Sequence, residues 1–96
     1  MGKEQVIQAL RSVTGESFIK YKAHIRGIFG SVARGDESEN SDIDVLVDFT
    51  ENADLFDYVG LALFLEEKLH RRVDVVPIDT IKPEIATAVM KDAIYI

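Results

Sequence analysis

The side chains of this sequence best suited to chemistry are three aspartates in two apolar segments. Asp42 and Asp44 flank Ile43 at the start of the segment IDVLVDF, and Asp74 lies within the segment RVDVV. Carboxylates beside apolar strand residues are costly to bury unless a cation lies among them. Because the chain has no cysteine and its two histidines have no ligand spacing, the donors are hard oxygens, which select magnesium or manganese.

These aspartates are predicted to meet at one end of a β-sheet, on one face. Side chains alternate along a strand, which places Asp42 and Asp44 on the same side. The helical segment from Leu55 to Leu69 separates the two aspartate-bearing strands and is long enough for a right-handed parallel crossover. Because parallel neighbours begin at the same edge of a sheet, Asp74 should lie beside the other two carboxylates.

A glycine and a serine lie at the end of another predicted strand. They precede the acidic corner, defined as the sheet edge predicted to carry Asp42, Asp44 and Asp74. The segment IRGIF ends at Gly30 and Ser31, and the loop that follows is too short for a packed crossover helix. The first two strands are therefore predicted to be antiparallel, which brings Gly30 to the corner. Glycine lets the backbone approach a phosphate closely, and Ser31 can donate its hydroxyl and N–H to it. Arg34 is either a phosphate clamp or the partner of a loop acid such as Asp36.

Carboxylates, a cation and a phosphate-binding turn together indicate phosphoryl or nucleotidyl transfer. Magnesium keeps several waters and takes its remaining ligands from substrate phosphates, and two ions about 4 Å apart serve an in-line displacement at phosphorus. A calcium loop is a competing interpretation. An EF-hand that starts at Asp36 needs glycine at its sixth position and glutamate at its twelfth, but the chain has Ser41 and Val47 there, so this interpretation is rejected. A solvated acidic turn explains Asp36, but not acids that flank Ile43 and recur on another strand.

Periodicity along the rest of the chain predicts an α+β fold, a small mixed β-sheet with helices packed mainly on one face. The predicted elements are a helix from Glu4 to Tyr21 bent at Thr14-Gly15, strands Ile25–Phe29, Ile43–Phe49 and Arg72–Pro77, helices Leu55–Leu69 and Thr80–Lys91, and an edge strand within Ala93–Ile96. The stripe assigned to the core of the long helix is Leu55, Val59, Leu63 and Leu69, and the candidate partner surface is Tyr58, Leu61 and Phe64.

The composition limits the class of protein. With 96 residues, 47% of them hydrophobic and 29% charged, the chain is interpreted as a single soluble domain over residues 1–96. Its net charge of -6 argues against binding nucleic acid by neutralising phosphates. No stretch of the sequence has the length and hydropathy of a membrane span, and the polar N-terminus does not resemble a signal peptide. The absence of cysteine fits a reducing compartment, so the expected location is the cytoplasm.

The spacing of the polar residues resembles that of a known enzyme superfamily. Gly30-Ser31, a ten-residue gap and Asp42-Ile43-Asp44 resemble the signature of the DNA polymerase β-type nucleotidyltransferases. The longer stretch GSVARGDESENSDIDVLVDF is similar to the minimal nucleotidyltransferases, called MNT proteins, and Asp74 matches their third carboxylate. The resemblance covers nearly the whole chain and implies the polymerase β-type nucleotidyltransferase fold.

The resemblance also implies an activity and a partner. Many MNT proteins are antitoxins paired with a HEPN-domain toxin, a helical ribonuclease, and they transfer AMP from ATP onto a tyrosine of that toxin. In that scheme Asp42 and Asp44 hold both magnesium ions, whereas Asp74 binds the ion at the acceptor oxygen and helps to remove its proton. The residues expected to bind the nucleotide are Gly30, Ser31 and Arg34.

Two alternatives stand beside this expectation. The protein could be an antitoxin that neutralises its toxin by binding alone, without catalysis. It could also be an adenylyltransferase for a small molecule, which the lack of a second, acceptor-holding domain disfavours. The intact set of Asp42, Asp44 and Asp74 favours an enzyme over a binding protein, and the lack of a second domain leads us to expect an acceptor carried by a separate protein.

Overall fold

The computed structural model of the protein describes residues 2–35 and 41–96. The helices are α1 (Lys3–Ser12), α2 (Thr14–Tyr21), α3 (Gly30–Arg34), α4 (Leu55–Leu69) and α5 (Pro83–Asp92). The strands are β1 (Ala23–Phe29), β2 (Ile43–Phe49), β3 (Val73–Pro77) and β4 (Ile94–Tyr95). A 3₁₀ turn at Ile78–Thr80 leads from β3 towards α5.

The four strands form one mixed sheet in the order β3-β2-β1-β4. Strands β1 and β2 are antiparallel, and β2 and β3 are parallel neighbours joined by the crossover helix α4. The edge strand β4 pairs antiparallel with β1, through Gly27 opposite Tyr95 and Ile28 opposite Ile94. The strand directions predicted from the loop lengths and the crossover are therefore confirmed, and so is the mixed α+β sheet.

Two helix boundaries differ from the predicted ones. The N-terminal helix is broken at Val13, one residue before Thr14-Gly15, and the hydroxyl of the buried Ser17 donates to the Val13 carbonyl oxygen at 2.7 Å. The last helix begins at Pro83 rather than at Thr80. Proline is suited to the first position of a helix, because its missing N–H would have no partner there, and Thr80 is the last residue of the 3₁₀ turn instead.

The face of α4 predicted to enter the core is wrong for three of its four residues. Leu55, Val59 and Leu63 are 73%, 47% and 62% exposed, and only Leu69 of the stripe is buried. The buried apolar residues of the helix are Leu61, Phe64, Leu65 and Leu69. Tyr58, which the sequence suggested for a partner surface, is half-buried, and its hydroxyl donates to the Val75 carbonyl oxygen at 2.9 Å.

The wrong prediction of which face of α4 is buried has a physical cause. The apolar residues of α4 lie on most sides of the helix, so a period of 3.6 residues fits more than one face. Tertiary contacts with the sheet then decide which face is buried.

At 15 residues α4 is short for a bilayer, and in residues 2–35 and 41–96 no helix is long and apolar enough to cross a membrane.

The main core lies between one face of the sheet and the helices α1 and α4. Its fully buried side chains include Val6 and Leu10 from α1, Val45 from β2, and Leu61 and Leu65 from α4. Alternation along β2 directs Ile43, Val45 and Val47 into this core and leaves the aspartates on the opposite face. The same alternation therefore builds the core and exposes the carboxylates.

Helix α5 lies on the face of the sheet that carries the carboxylates. Its residues Ala88 and Val89 line a cleft together with Phe29 and Gly30. Phe29 is the β1 partner of Asp44, and directly opposed residues of antiparallel strands point to the same side. None of the α5 side chains is buried. The helices are therefore packed mainly, but not entirely, on one face.

Candidate active site

The structure places Asp44 and Asp74 side by side at the start of β2 and β3. The two residues are direct partners in the parallel register of these strands. The main-chain N–H of Ile43 donates to the carbonyl oxygen of Arg72 at 2.9 Å, which fixes the level at which both strands begin. Asp44 is half-buried and Asp74 is exposed. The corner is thus open to a ligand from solvent.

Asp42 lies at the same edge, immediately before β2, and it is exposed. Its carboxylate oxygen is 3.9 Å from Nε of Arg72, and Arg71 donates to the carbonyl oxygen of Ser41 at 2.6 Å. Within the described parts of the chain, no three carboxylate or imidazole side chains converge into a metal-ligand group. The structure therefore brings Asp44 and Asp74 together, with Asp42 beside them and next to an arginine.

Gly30 packs directly against the carboxylate of Asp44. It begins α3 with φ of +75°, a left-handed conformation that favours glycine. A Cβ atom at this position would lie 2.3 Å from Oδ2 of Asp44. The sequence suggested that Gly30 lets the backbone approach a phosphate. The geometry adds a second requirement, because only glycine leaves room for the Asp44 side chain.

The electrostatics of the corner disfavour a charged Asp44. Partial burial raises the pKa of Asp44, the neighbouring carboxylates of Asp74 and Asp42 raise it further, and the guanidinium of Arg34 acts in the opposite direction. The negative charges therefore repel each other across the two strands. A cation placed among them would remove this repulsion, and the all-oxygen donor set suits a hard divalent ion.

Replacing Asp44 by asparagine is expected to raise the melting temperature at pH 7 in the presence of EDTA. A carboxyl group whose pKa is higher in the folded than in the unfolded chain destabilises the fold once it is ionised. This cost is absent below the unfolded pKa of about 3.9 and is complete above the raised folded pKa. Thermal melts of wild type and Asp44→Asn should therefore differ at pH 7 and coincide at about pH 3.

The matched control for this prediction is Asp48→Asn. Asp48 lies further along the same face of β2 but forms an ion pair with Arg26, at 3.1 Å. Its replacement should not raise the melting temperature at either pH. Equal melting of wild type and Asp44→Asn at pH 7 would show that the carboxylates of the corner do not destabilise the fold.

The other two residues expected to bind a nucleotide lie in α3. Ser31 is half-buried in the first turn, next to Gly30. Arg34 is 3.9 Å from the carboxylate of Asp92, at the end of α5. The proposed pairing of Arg34 with Asp36 falls outside the described residues.

Sequence reasoning missed three residues at this edge of the sheet. Arg71 and Arg72 are not among the predicted site residues, but they contact the segment before β2. Their position at the start of the predicted third strand was the available signal, because that strand starts beside the aspartates. Asp92 carried no local signal, since its place near Arg34 depends on where α5 crosses the sheet.

This fold and this corner define the nucleotidyltransferase class. The family model "Nucleotidyltransferase domain" matches residues 19–96, and the chain belongs to that family. A protein adenylyltransferase named MntA, from Thermococcus cleftensis, is 41% identical over 73% of this chain and 71% of its own length. A Methanocaldococcus jannaschii protein assigned as a protein adenylyltransferase is 34% identical over 96% of this chain and 95% of its own length.

Solved structures agree with the fold. A structure assigned to the minimal nucleotidyltransferases is 37% identical and has a TM-score of 0.81, over 98% of this chain and 95% of that chain. A toxin–antitoxin structure with AMP-PNP is 24% identical, with a TM-score of 0.68 over 99% of this chain and 72% of that chain, and it shows likeness in fold. The predicted family, fold and enzyme class are therefore confirmed.

Proposed function

We propose that the protein is a magnesium-dependent protein adenylyltransferase that transfers AMP from ATP onto a tyrosine of a HEPN-domain toxin. The observation that carries this proposal is the Asp44–Asp74 pair, held against Gly30 at an open sheet end of the nucleotidyltransferase fold. Relatives that are 41% and 34% identical bear the name protein adenylyltransferase, which supports a protein as the acceptor.

The donor set of the corner fits a divalent metal. Burial raises the pKa of Asp44, and repulsion from the neighbouring carboxylates of Asp74 and Asp42 raises it further. A cation would relieve this repulsion. The residues that would hold magnesium are Asp42, Asp44 and Asp74, and manganese has the same ligand preference. When bound, the metal supplies charge neutralisation at the phosphates and activation of the acceptor oxygen.

The chain's own residues would bind and orient the nucleotide and accept a proton. Ser31, with its hydroxyl and N–H, and Arg34 would hold the phosphates at the Gly30 turn. The tyrosine oxygen attacks the α-phosphorus of ATP, the bond to the oxygen that bridges to the β-phosphorus breaks, and pyrophosphate leaves. The hydroxyl proton passes to Asp74, which is exposed at the same edge and accessible to an incoming acceptor.

The toxin as acceptor is the less direct part of the proposal. A relative at 41% identity carries the name MntA, and solved toxin–antitoxin structures contain MntA paired with HepT. This chain is 22% identical to the matched chain of that pair, with a TM-score of 0.58, so the match shows a likeness in fold alone. An acceptor residue presented by a second protein would explain why the corner is open to solvent.

The experiment that tests the proposal follows the AMP group onto the toxin. The protein is mixed with the HEPN-domain toxin encoded beside it, with magnesium, and with ATP labelled at either the α- or the γ-phosphate. The mass of the intact toxin is then measured by mass spectrometry. Transfer of AMP adds mass in steps of one nucleotide and retains only the α label. A toxin that is silenced at unchanged mass would replace the enzyme with an antitoxin that acts by binding, and a retained γ label would indicate a kinase.

A further inference from the structure

A cleft opens beside the carboxylate corner, between α5 and the turn from β1 into α3. It has a volume of about 340 Å³ and is lined by Phe29, Gly30, Arg34, Ala88, Val89 and Asp92. Gly30 belongs to both the cleft and the corner, because it also touches Asp44. The cleft is therefore continuous with the candidate phosphate-binding turn.

We propose that this cleft holds the base and ribose of the nucleotide substrate, an assignment that rests on the nucleotidyltransferase function proposed above. A triphosphate whose α-phosphorus lies at the aspartates has its nucleoside one sugar away from them. The cleft adjoins Gly30 and, at about 340 Å³, is large enough for that group. Two other clefts of similar volume, about 380 and 360 Å³, are lined by residues of α1 and of α2, away from Gly30.

The lining of the cleft suits a flat aromatic base. Phe29 is half-buried and lies on the same face of the sheet as Asp44, its partner in β2. Ala88 and Val89 form the opposite wall from α5, so an apolar side chain lies on each side. Stacking of a base on an aromatic ring is favourable for every base and alters affinity by about tenfold to a hundredfold when the ring is removed.

The charged residues of the cleft lie at its edge. Arg34 and Asp92 approach to 3.9 Å, and their side chains are 47% and 44% exposed. Arg34 is positioned to reach phosphate oxygens, whereas the Asp92 carboxylate accepts hydrogen bonds from hydroxyl or amino groups. A nucleoside offers such donors, and inorganic phosphate chains offer none.

The test compares ATP with inorganic tripolyphosphate, each with magnesium, by titration calorimetry. Ala88→Trp fills the cleft from an exposed position, and Ala88→Ser leaves it open at the same site. Wild type and Ala88→Ser should bind ATP more tightly than tripolyphosphate. In Ala88→Trp, ATP affinity should fall by about tenfold or more, to the level of tripolyphosphate, whose own affinity stays unchanged. A second large residue outside the cleft, Leu63→Trp, should leave both affinities as in wild type.

The outcomes separate the cleft from the function on which it rests. If Ala88→Trp binds ATP as wild type does while Asp44→Asn does not, the cleft is not the nucleoside site and the phosphate corner stands. The same conclusion follows if wild type binds tripolyphosphate as tightly as ATP. If wild type binds neither ligand with magnesium, the proposed function fails, and the cleft assignment fails with it. Circular dichroism of each variant shows whether the fold is retained. Phe29→Leu, which removes the ring but keeps an apolar side chain, provides a second measurement: it should lower the affinity for ATP and leave that for tripolyphosphate unchanged.

Discussion

Asp44→Asn is expected to abolish transfer of AMP to the toxin while leaving the protein folded. Asp44 is the carboxylate at the centre of the corner, next to Asp74 in the sheet and in contact with Gly30. In the proposed mechanism, its replacement removes a metal ligand and the charge that balances the cation. Several kcal/mol of transition-state stabilisation depend on that cation, which corresponds to a loss of about a hundredfold to ten-thousandfold in rate.

The rate is measured by intact mass spectrometry of the toxin over time, with wild type and variant side by side. Asp48→Asn is the matched control, because Asp48 lies on the same face of β2 but pairs with Arg26. It should transfer AMP at the wild-type rate. Undiminished transfer by Asp44→Asn would remove the corner from the mechanism.

Gly30→Ala should have the second-largest effect, and it acts through Asp44. The new Cβ would lie 2.3 Å from Oδ2 of Asp44, so the carboxylate has to move away from its place beside Asp74. A displacement of about 1 Å at a reacting centre costs about a hundredfold in rate. Alanine at a positive φ also costs about 1–2 kcal/mol of stability, because Gly30 has a φ of +75°.

Gly35→Ala separates these two effects. Gly35 ends α3 with a φ of +78°, so alanine there has the same backbone cost, but a Cβ would meet no atom within 4 Å. Both variants should lower the melting temperature by a similar amount, and only Gly30→Ala should lose transfer. Equal activities in the two variants would mean that contact with Asp44 is not what Gly30 provides.

The sequence predicts the position of the Asp44–Asp74 pair because few topologies are compatible with it. Alternation in β2 fixes the face on which Asp44 lies, and a helical crossover of this length makes β3 a parallel neighbour that starts at the same edge. The short loop after Gly30 similarly fixes the antiparallel direction of β1. Each step depends on local spacing, and none requires knowledge of side-chain contacts.

The features that were missed depend on packing between distant segments. Leu55 and Leu61 are both leucines of one apolar helix, and only contact with the sheet determines that Leu61 is buried. The orientation of Asp42 depends on Arg72, which lies next to it through strand pairing. The cleft exists because α5 returns across the carboxylate face to place β4 beside β1, and no residue of α5 signals this path.

Helix α5 has a further consequence for the order in which parts of the molecule open. It contributes no buried side chain, and the strand that follows it has two residues. Segments with little buried apolar surface unfold locally at a lower free energy than the rest of a domain. The amide hydrogens of α5 and β4 should therefore exchange with solvent before those of α4 and β2, whose side chains form the core. One wall of the cleft can thus open without unfolding the sheet that carries the carboxylates, which would give a nucleotide at the proposed site a route in and out.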